Sequence, residues 1–519
     1  MRYSQICRKS LALLATGMIL TTSTLPSISI LAEDSTGAPA RPDGQAPAGG
    51  GANTTTYDYS GTNSGVLVAN GSKVTSSAKT KSTTSAQNAA LVQNGGSLTL
   101  RKANLTKSGD DNDGDNDNFY GINSILLAVN EGSKAYVSNS KLKASSSGSN
   151  GIFATDKATI YANKTSIATT ADNSRGLDAT YNGNIIANKM AISTKGAHSA
   201  AIATDRGGGN ISTTNSSLNT SGSGSPLLYS TGNIQVNHVT GTSSNSQIAG
   251  MEGLNTILIH NSNLTSTMTN KTASDPIANG VIIYQSQSGD AEATTGQSAH
   301  FELSKSKLTS SIASGSMFYL TNTSANIILN QSTLNFDANK AKLLTVAGNS
   351  ANNWGTPGSN GATVNFTGHK QTLKGDVDVD SISTLNMYLL DKTNYTGKIA
   401  VSTNSTNISP STSPITMNIS KNSKWVLTGH STVTNLNAEK GAKIVDKDGK
   451  TVSVISSSGQ KLVKGKSKYS LTVTGTYSQK VTTSSSNKLS SNYIDRSDFD
   501  NYFKTSTAFA DNTKKTSNN

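Results

Sequence analysis

Short runs in which apolar and polar residues alternate, separated by turns rich in Gly, Asn, Asp and Ser, fill the chain from about residue 57 to 470. A representative unit reads Gly151-Ile152-Phe153-Ala154, then Ala158-Thr159-Ile160-Tyr161-Ala162, then Ser166-Ile167-Ala168. Alternation with a period of two is typical of β-strands, and no amphipathic stretch of ten or more residues interrupts it. The pattern therefore predicts three short strands and three turns in each unit.

A short motif, which we call the phrase, marks each repeat. It consists of a polar turn, then Ser or Thr, and then an aliphatic residue that we call the anchor. The anchors that we assign are Leu105, Leu142, Ile167, Ile192, Leu218, Val239, Leu264, Leu308 and Leu334. From Leu142 onward the steps are 25, 25, 26, 21, 25, 44 and 26 residues, and the longest step holds an insertion. A period in the twenties indicates one supersecondary unit stacked on copies of itself. We predict an all-β fold, a parallel β-helix (β-solenoid) of about sixteen turns with three short strands per turn of about 25 residues.

Changes of composition divide the chain into five segments. Residues 1–32 carry a positive start, an apolar stretch and a small residue before Glu33, which is typical of a secretory signal peptide. Residues 33–56 form a Gly/Pro/Ala-rich linker, residues 57–362 the main coil with loop insertions, and residues 363–483 more aliphatic turns with a capping region. Residues 484–519 are predicted to be a Ser-rich polar tail.

The net charge and the single cysteine indicate the environment in which the protein works. The only cysteine, Cys7, lies in the predicted signal, so the mature chain has no disulfide or thiolate metal ligand. Removing residues 1–32 lowers the formal net charge from +13 to +10. A basic balance favours anionic partners, although the lysines are dispersed along the sequence apart from a weak concentration between Lys440 and Lys480. We expect a bacterial protein that is secreted, loosely wall-associated and monomeric, with no membrane span after cleavage.

Several segments carry a family resemblance. They are Asn118-Phe119-Tyr120-Gly121-Ile122-Asn123-Ser124-Ile125, Gly151-Ile152-Phe153-Ala154-Thr155-Asp156, Ala203-Thr204-Asp205-Arg206-Gly207-Gly208-Gly209, Ser314-Gly315-Ser316-Met317-Phe318-Tyr319, Trp354-Gly355-Thr356-Pro357-Gly358-Ser359-Asn360-Gly361 and Trp425-Val426-Leu427-Thr428-Gly429. Through them the chain resembles pectate-lyase-like right-handed β-helices. It is more similar still to secreted β-helical proteins of Gram-positive bacteria described as predicted adhesins. The resemblance implies a right-handed coil and a surface or secreted role, and it brings no catalytic motif.

One polar constellation lies within the predicted coil. Aligning the turns puts Asp156 and Asp205 in one column, two turns apart, with Tyr181 between them and Asp178, Arg175 and Arg206 close by. All of these residues except Arg175 form the predicted ligand-binding site. Convergent carboxylates with an arginine as base would suit a calcium-dependent lyase acting on a uronate, whereas the alternative is that turn positions simply favour Asp. Tyr181, Tyr229 and Trp354 are candidates for stacking on sugars.

An acidic insertion runs from Asp110 to Asn118. Spaced carboxylates around a glycine suit Ca²⁺, which prefers six to eight oxygen ligands. The predicted calcium ligands are Asp111, Asp113, Asp115 and Asp117. The spacing departs from the EF-hand loop, since Gly109 and Tyr120 stand at its first and twelfth positions, so a solvated loop without calcium remains the alternative.

The leading functional hypothesis is a non-catalytic adhesin or carbohydrate-binding scaffold whose partners are cell-wall polymers or host or plant glycans. Its rivals are a calcium-dependent lyase or hydrolase of acidic polysaccharide and a passive wall or matrix component. No nucleic-acid-binding motif occurs in the sequence. We expect any ligand contact on the polar constellation or on four insertions, residues 110–118, 268–278, 286–298 and 349–361, and no cofactor apart from the calcium considered above.

Overall fold

The computed structural model describes residues 56–111, 113–286, 291, 297–351 and 354–509. The predicted signal and almost all of the predicted linker lie outside the described residues. The described chain forms a right-handed parallel β-helix, as predicted. Successive turns add one strand to each of three long parallel sheets, which contain thirteen strands (sheet A), fifteen strands (sheet B) and ten strands (sheet C).

The first ten turns each contribute one strand to sheets A, B and C in that order. Their strands are Gly65–Asn70 (β1), Lys73–Ser76 (β2), Lys79–Ser82 (β3), Asn88–Gln93 (β4), Ser97–Arg101 (β5), Asn104–Lys107 (β6), Leu126–Ala128 (β7), Lys134–Ser138 (β8), Lys141–Ala144 (β9), Ile152–Ala154 (β10), Thr159–Asn163 (β11), Ser166–Thr169 (β12), Leu177–Ala179 (β13), Gly183–Asn188 (β14), Ala191–Thr194 (β15), Ile202–Thr204 (β16), Gly209–Thr214 (β17), Ser217–Thr220 (β18), Leu228–Ser230 (β19), Asn233–Asn237 (β20), Thr240–Ser243 (β21), Ala249–Glu252 (β22), Thr256–His260 (β23), Asn263–Ser266 (β24), Asn279–Tyr284 (β25), Ala299–Ser304 (β26), Lys307–Ser310 (β27), Ser316–Thr321 (β28), Ser324–Asn330 (β29) and Thr333–Asn335 (β30).

The C-terminal turns extend sheets A and B and add two sheets of four strands each. Their strands are Lys342–Val346 (β31), Thr363–His369 (β32), Thr372–Lys374 (β33), Val377–Asp380 (β34), Thr384–Leu390 (β35), Asn394–Thr396 (β36), Ile399–Ser402 (β37), Ile415–Ile419 (β38), Lys424–Leu427 (β39), Ser431–Val433 (β40), Asn435–Ala438 (β41), Lys443–Asp446 (β42), Ser453–Ser456 (β43), Lys461–Val463 (β44), Ser470–Val473 (β45) and Tyr477–Ser478 (β46). The last small sheet contains the antiparallel pair β43–β44, which breaks the parallel stacking at this end. Helical structure is confined to a π-helical turn at Asn116–Tyr120, a 3₁₀ turn at Ser485–Asn487 and an α-helix at Ser497–Phe503 (α1) among the described residues.

The aliphatic anchors stack in one buried column inside sheet C, as the repeat predicts. Leu142, Ile167, Ile192 and Leu218 pair directly from one strand to the next, and each is at most 3% exposed. Because the side chains of a strand alternate between its two faces, every second position of these strands points into the coil. The interior is therefore a continuous apolar core, which is aliphatic in the first turns and includes aromatic rings such as Phe301, Phe318 and Trp425 toward the C-terminal end.

The anchor predicted at Val239 is wrong by two residues. Gly241 stands in the column between Leu218 and Leu264. A Cβ on this glycine would lie 2.9 Å from Cδ1 of Leu227, because the Leu227 side chain already occupies that part of the interior. Val239 is also buried, but it lies at the corner that leads into the strand.

Hydroxyl groups at that corner explain why the repeated phrase contains Ser or Thr. Ser216 Oγ accepts a hydrogen bond from the Met190 backbone N–H at 2.9 Å, and Ser306 Oγ accepts one from Ser262 at 3.0 Å. The residue before each hydroxyl has a positive φ, which is 51° at Asn215, and Asn tolerates this conformation better than most residues. The phrase therefore satisfies backbone donors where the chain turns from sheet B to sheet C.

Residues Ser484 to Phe509, which we call the C-terminal strap, run back along the outside of sheet B. The strap begins near β32, where Asn487 Nδ2 donates to Thr367 Oγ1 at 2.9 Å. It continues past Glu302 on β26, whose carboxylate accepts from the Ser490 N–H at 2.6 Å. Helix α1 then packs its buried Phe499 against Tyr161 on β11. The chain predicted as a polar tail thus includes a segment that covers much of one face of the coil.

Candidate functional site

The predicted ligand-binding residues lie at the outer face of sheet A and in the turns that follow its strands. Asp178 is on β13, whereas Asp156, Tyr181, Asp205 and Arg206 are in turns. The predicted shared column of Asp156 and Asp205 is off by one residue. The N–H groups of Thr180 and Asp205 donate to the equivalent carbonyls Ala154 O and Ala179 O, so Asp205 aligns with Thr180 and precedes the column of Asp156.

Arg175 joins most of these residues into one network. Its Nη1 lies 3.3 Å from Asp178 Oδ2 and donates to Asn118 Oδ1 at 2.7 Å, while its Nη2 lies 2.9 Å from Asp205 Oδ2. Asp156 stays outside this network, and its Oδ2 accepts from Asn130 Nδ2 at 3.0 Å. The structure therefore unites Asp178 and Asp205 through one guanidinium group.

Burial decides how this network is charged. The Asp178 side chain is fully buried, and those of Arg175 and Asp205 are 10% and 7% exposed. Burial, together with the nearby Asp205 carboxylate, raises the pKa of Asp178 well above its usual value in spite of the attraction of Arg175. This shift favours the neutral form of Asp178 over the charged one, which lowers the cost of burying its carboxyl beside Asp205.

Aromatic contacts fasten the acidic insertion over the same face. The Arg206 guanidinium carbon lies 3.6 Å above the centre of the Phe119 ring. Tyr120 stacks on Tyr181 with ring centres 5.5 Å apart, and Tyr57 meets both rings edge-on. Cation–π and aromatic pairs of this kind stabilise packed segments. Arg206 and Tyr181, two of the predicted ligand-binding residues, thus hold the insertion on the coil.

Within the insertion the carboxylates point in different directions. Asp113 accepts hydrogen bonds from the backbone N–H and side-chain amide of Asn116, and Asp111 Oδ1 accepts from the Asp113 N–H at 3.1 Å. Asp117 turns inward and is 1% exposed. Its carboxyl fills the space above Gly148, where a Cβ would lie 1.9 Å from Oδ2. Burial, and then the charges of Asp111 and Asp113, raise the pKa of Asp117 to about 9, so this side chain is protonated at neutral pH.

A lysine ammonium group supplies positive charge at the base of the insertion. Lys107 is 1% exposed, and its Nζ donates to the Thr84 carbonyl at 2.9 Å and to the Gly109 carbonyl at 2.6 Å. Burial lowers the pKa of Lys107, against the attraction of Asp117 and other acids of the insertion. Across the described part of the chain, no three carboxylate or imidazole groups converge as metal ligands would. Calcium binding by Asp111, Asp113, Asp115 and Asp117 therefore remains a prediction.

Trp354 and Tyr229, two of the aromatic residues predicted to stack on sugars, are engaged in contacts within the protein. Trp354 is 7% exposed and stacks on Tyr284 with ring centres 4.2 Å apart. The hydroxyl groups of Tyr229 and Tyr284 donate to Glu252 Oε2 at 2.8 and 3.1 Å. These contacts cover a second part of sheet A. The insertion of residues 349–361, of which 352 and 353 lie outside the described residues, contributes Trp354 to this cover.

The four predicted insertions follow strands at either end of the sheet A strands: two precede a sheet A strand in the turn, and two come after one. Residues 110–118 and 268–278 follow β6 and β24 of sheet C, whereas residues 286–298 and 349–361 follow β25 and β31 of sheet A itself. Most of residues 286–298 lie outside the described chain. This placement on one flank accounts for the covered outer face of sheet A.

The outer face of sheet C differs from the other two faces. Its outward positions, read from the strand register, carry Ser, Thr, Asn, Ala and Lys, and its ten strands contain no Asp or Glu. Exposed lysines lie on its first strands and at the corner between sheets B and C: Lys79, Lys81, Lys102, Lys141, Lys143, Lys164 and Lys189. None of them has an ion pair with a carboxylate among the described residues. We call this surface the sheet C face.

A shallow groove of about 500 Å³ continues the sheet C face toward its C-terminal strands. Lys307 lies on the face, and the remaining lining residues include His238, Asn261, Lys305 and Gln331 at the corner. These corner residues share a positive φ between 46° and 55° and stack from turn to turn. The groove is polar and open along the axis of the coil.

Sequence reasoning missed this surface because the lysines are far apart in the chain. The signal was present in the repeat, since Lys141-Leu142-Lys143 places a lysine on each side of an anchor. Lys79-Thr80-Lys81 does the same two turns earlier. When the anchor points inward, both neighbours point outward on the same face. Charge that is dispersed in sequence is thereby concentrated in space.

The chain matches no known protein-family model, and a search of curated proteins finds none with significant similarity. No helix among the described residues has both the length and the apolar character needed to cross a membrane. The fold is therefore assigned from the structure alone: the chain is a parallel β-helix, and the described residues leave the repetitive polar face of sheet C uncovered.

Proposed function

We propose that this chain is a secreted or cell-surface, non-catalytic β-helical adhesin or scaffold that binds carbohydrate polymers. The observation that carries the proposal is that the sheet C face alone, among the outer faces of the three long sheets, has no covering segment in the described structure. The insertion of residues 110–118 and Trp354 lie over sheet A, and the C-terminal strap lies over sheet B. A face that remains open along successive turns is available to a partner.

The chemistry and length of the sheet C face suit a polymer. Ten strands at about 4.8 Å spacing give a surface about 43 Å long. It presents rows of hydroxyl, amide and ammonium groups, which hydrogen-bond readily to sugar hydroxyls and to anionic substituents. A repeated surface can also bind a repeated ligand at many weak contacts, so that avidity replaces a deep pocket.

The proposed location rests on the start of the chain. Arg2, Arg8 and Lys9, the apolar stretch from Leu11 to Leu20 and Ala32 before Glu33 make a secretory signal pattern. The resemblance to secreted β-helical proteins of Gram-positive bacteria points the same way. We place the mature chain outside the cell, held loosely at the wall by its positive charge.

The state of the acidic residues favours binding over catalysis. A lyase for acidic polysaccharide needs carboxylates or an arginine that can reach its substrate. Here Asp178 and Asp205 are buried and bonded to Arg175, and Arg206 stacks on Phe119. The calcium-dependent lyase or hydrolase remains the rival proposal, and it requires the insertion to move away from sheet A.

The test is a binding screen with purified residues 33–519 against wall polymers, mucin and plant polysaccharides, with and without Ca²⁺. We expect saturable binding to at least one polymer and no release of unsaturated uronate product, which is followed by its ultraviolet absorbance. Product release would overturn the non-catalytic assignment. Absence of binding to every polymer would favour the passive wall component.

Blocking variants locate the binding surface. Tryptophan at the exposed sheet C positions Asn219 and Thr242 should weaken polymer binding by steric obstruction. The matched control places tryptophan at Ser457 and Gln460, which are equally exposed between β43 and β44 at the C-terminal end of the coil. Equal binding by the two variants would contradict the assignment to sheet C.

A further inference from the structure

We infer that the ligand of the sheet C face is a linear, anionic carbohydrate polymer that lies along the axis of the coil. The inference rests on the proposed function and narrows it to a substrate class and a binding direction. It is carried by one juxtaposition: exposed lysines on five successive turns border strands that contain no carboxylate.

The lysines follow the coil axis. Lys141 and Lys143 are two residues apart on β9, so both point outward about 6.6 Å apart along the strand. Lys164 and Lys189 stand at the corner on the next two turns, where the Lys164 N–H donates to Asn188 O, the residue before Lys189. Adjacent turns are about 4.8 Å apart, so the lysines from Lys79 to Lys189 extend over about 19 Å. A ligand that contacts all of them must be extended in the same direction.

The positive charges are held close together without local compensation. Two ammonium groups about 7 Å apart repel each other by about 0.6 kcal/mol in water, and this distance is shorter than the Debye length of about 8 Å at physiological salt. The acidic insertion follows Lys107, at the end of the sheet C strands opposite to the corner that carries Lys102, Lys164 and Lys189. A chain of carboxylates or phosphates would relieve the repulsion and release its own counterions.

The absence of aromatic side chains from the strands of sheet C favours a glycan over a nucleic acid as the ligand. Proteins that bind single-stranded nucleic acid combine a basic track with aromatic rings on which bases stack. The ten strands of sheet C contain no Phe, Tyr or Trp. Hydroxyl and amide groups beside the lysines instead match a polymer that alternates charge with sugar hydroxyls. We therefore propose an anionic glycan as the ligand, and binding of a nucleic acid is the alternative that the experiment tests.

The experiment uses residues 33–519 and four probes: polygalacturonate, poly(glycerol phosphate), neutral dextran and single-stranded DNA. The face variant changes Lys141, Lys143, Lys164 and Lys189 to Gln, which the corner tolerates because Gln331 occupies the same column with φ 48°. The control variant changes Lys440, Lys447, Lys464 and Lys480 to Gln. It removes the same charge from exposed positions elsewhere.

We expect both anionic polymers, or the one whose acid group fits, to bind the parent and control proteins, with at least about tenfold weaker binding by the face variant. The face variant should also show a shallower decline of affinity as salt rises from about 50 to 200 mM. A preference for polygalacturonate would identify carboxylates as the acid groups that the face binds. A preference for poly(glycerol phosphate) would identify phosphates.

Other results overturn the inference in distinguishable ways. Equal losses in the two variants would show that binding follows net charge and not this face. Lysine-dependent binding of DNA as tight as that of the glycans would overturn the assignment to carbohydrate. Dextran binding that survives in the face variant would refute the anionic ligand while leaving the proposed function standing, and no polymer binding at all would refute both.

Discussion

The outer faces of sheets B and C belong to the same turns and are built in opposite ways. On sheet B, Tyr161 and Ile186 point outward and are 6% and 4% exposed, because helix α1 of the strap packs on them. On sheet C, the outward Lys141, Ala191 and Asn219 are exposed. A turn of this coil can therefore carry an apolar outer face or a polar one, and the difference follows whether the chain returns to cover it.

The strap holds its position by polar contacts as well as by apolar burial. Arg496 is 3% exposed, and its guanidinium donates to the carbonyls of Ala187 and Ser212 at 2.9 and 2.8 Å. These carbonyls belong to adjacent strands of sheet B. The contrast teaches that the polar outer face of sheet C is an available surface, since the same chain covers a neighbouring sheet with specific, buried partners.

The largest expected effect compares one position on each face of a single turn. Ile186→Asp places a carboxylate beneath Phe499, where burial of an unpaired charge should destabilise by about 3 to 5 kcal/mol or displace the strap. Ala191→Asp, on the next strand but on the exposed face, should change stability by no more than about 0.5 kcal/mol. Denaturant melts of both variants measure the difference. Similar melts would show that the two faces are not distinct.

A smaller effect is expected when the polar fastening of the strap is removed. Arg496→Gln leaves buried carbonyls without their donors, at a cost of about 2 to 3 kcal/mol to strap docking. Limited proteolysis should then cut residues 484–509 sooner while the coil stays intact. Lys504→Gln, at an exposed position of the same strap, is the control and should be cut at the parent rate. Unchanged proteolysis of the Arg496 variant would contradict the fastening role.

The inner half of this architecture could be predicted from the sequence, because it depends on local periodicity. Alternation identified the strands, and the repeat identified the anchors, except where Leu227 replaces the side chain missing at Gly241. The covered face of sheet B left only a weak signal, in pairs such as Ile185-Ile186 where both faces of the strand are apolar. Arg496 contacts Ser212 from 284 residues away, and no local pattern encodes that contact.

The candidate sites were predictable to a similar degree. The repeat placed Asp178 near Asp205, on the adjacent turn, but it also put Asp156 in one column with Asp205, which is wrong by one residue. It did not predict that Arg175 bonds both or that the insertion folds over them, because the path of an irregular loop depends on tertiary contacts such as Arg206 on Phe119. The lysine surface of sheet C could be predicted only from the strand register, because the register shows which residues of successive turns lie side by side.

The insertion over sheet A adds a third face to the comparison. Its contribution to the stability of the fold should depend on pH. Asp117 has a pKa raised to about 9 in the folded chain, against an ordinary value of 3.8. Between these values the unfolded chain releases this proton and the folded chain keeps it, so the contribution of Asp117 to stability falls as pH rises from about 4 to about 9. Asp117→Asn removes the dependence. We expect the variant to match the parent near pH 4 and to be about 2 kcal/mol more stable near pH 5.5, since each further pH unit adds about 1.4 kcal/mol to the difference.

Thermal melts across this range check the prediction on the intact chain. Asp448→Asn serves as the control, because Asp448 is exposed in a turn at the C-terminal end of the coil, away from Asp117. Its difference from the parent should stay nearly constant with pH over this range. An Asp117→Asn protein whose advantage does not grow with pH would show that the folded carboxyl is ionised.

The smallest expected effect adds charge to the open face. Ala191→Lys with Ser217→Lys extends the lysines along adjacent turns of sheet C, at exposed positions that pair directly in the register. Because these side chains remain in solvent, the melting temperature should shift by no more than that of the Ala191→Gln, Ser217→Gln control. Each new ammonium group should add about 0.5 kcal/mol to the binding of polygalacturonate, roughly a twofold gain in affinity per lysine. A gain on this face with no cost in stability would separate the surface that binds from the surfaces that hold the fold together. An unchanged affinity would place the ligand away from the middle of sheet C and confine any contact to the lysines from Lys79 to Lys143.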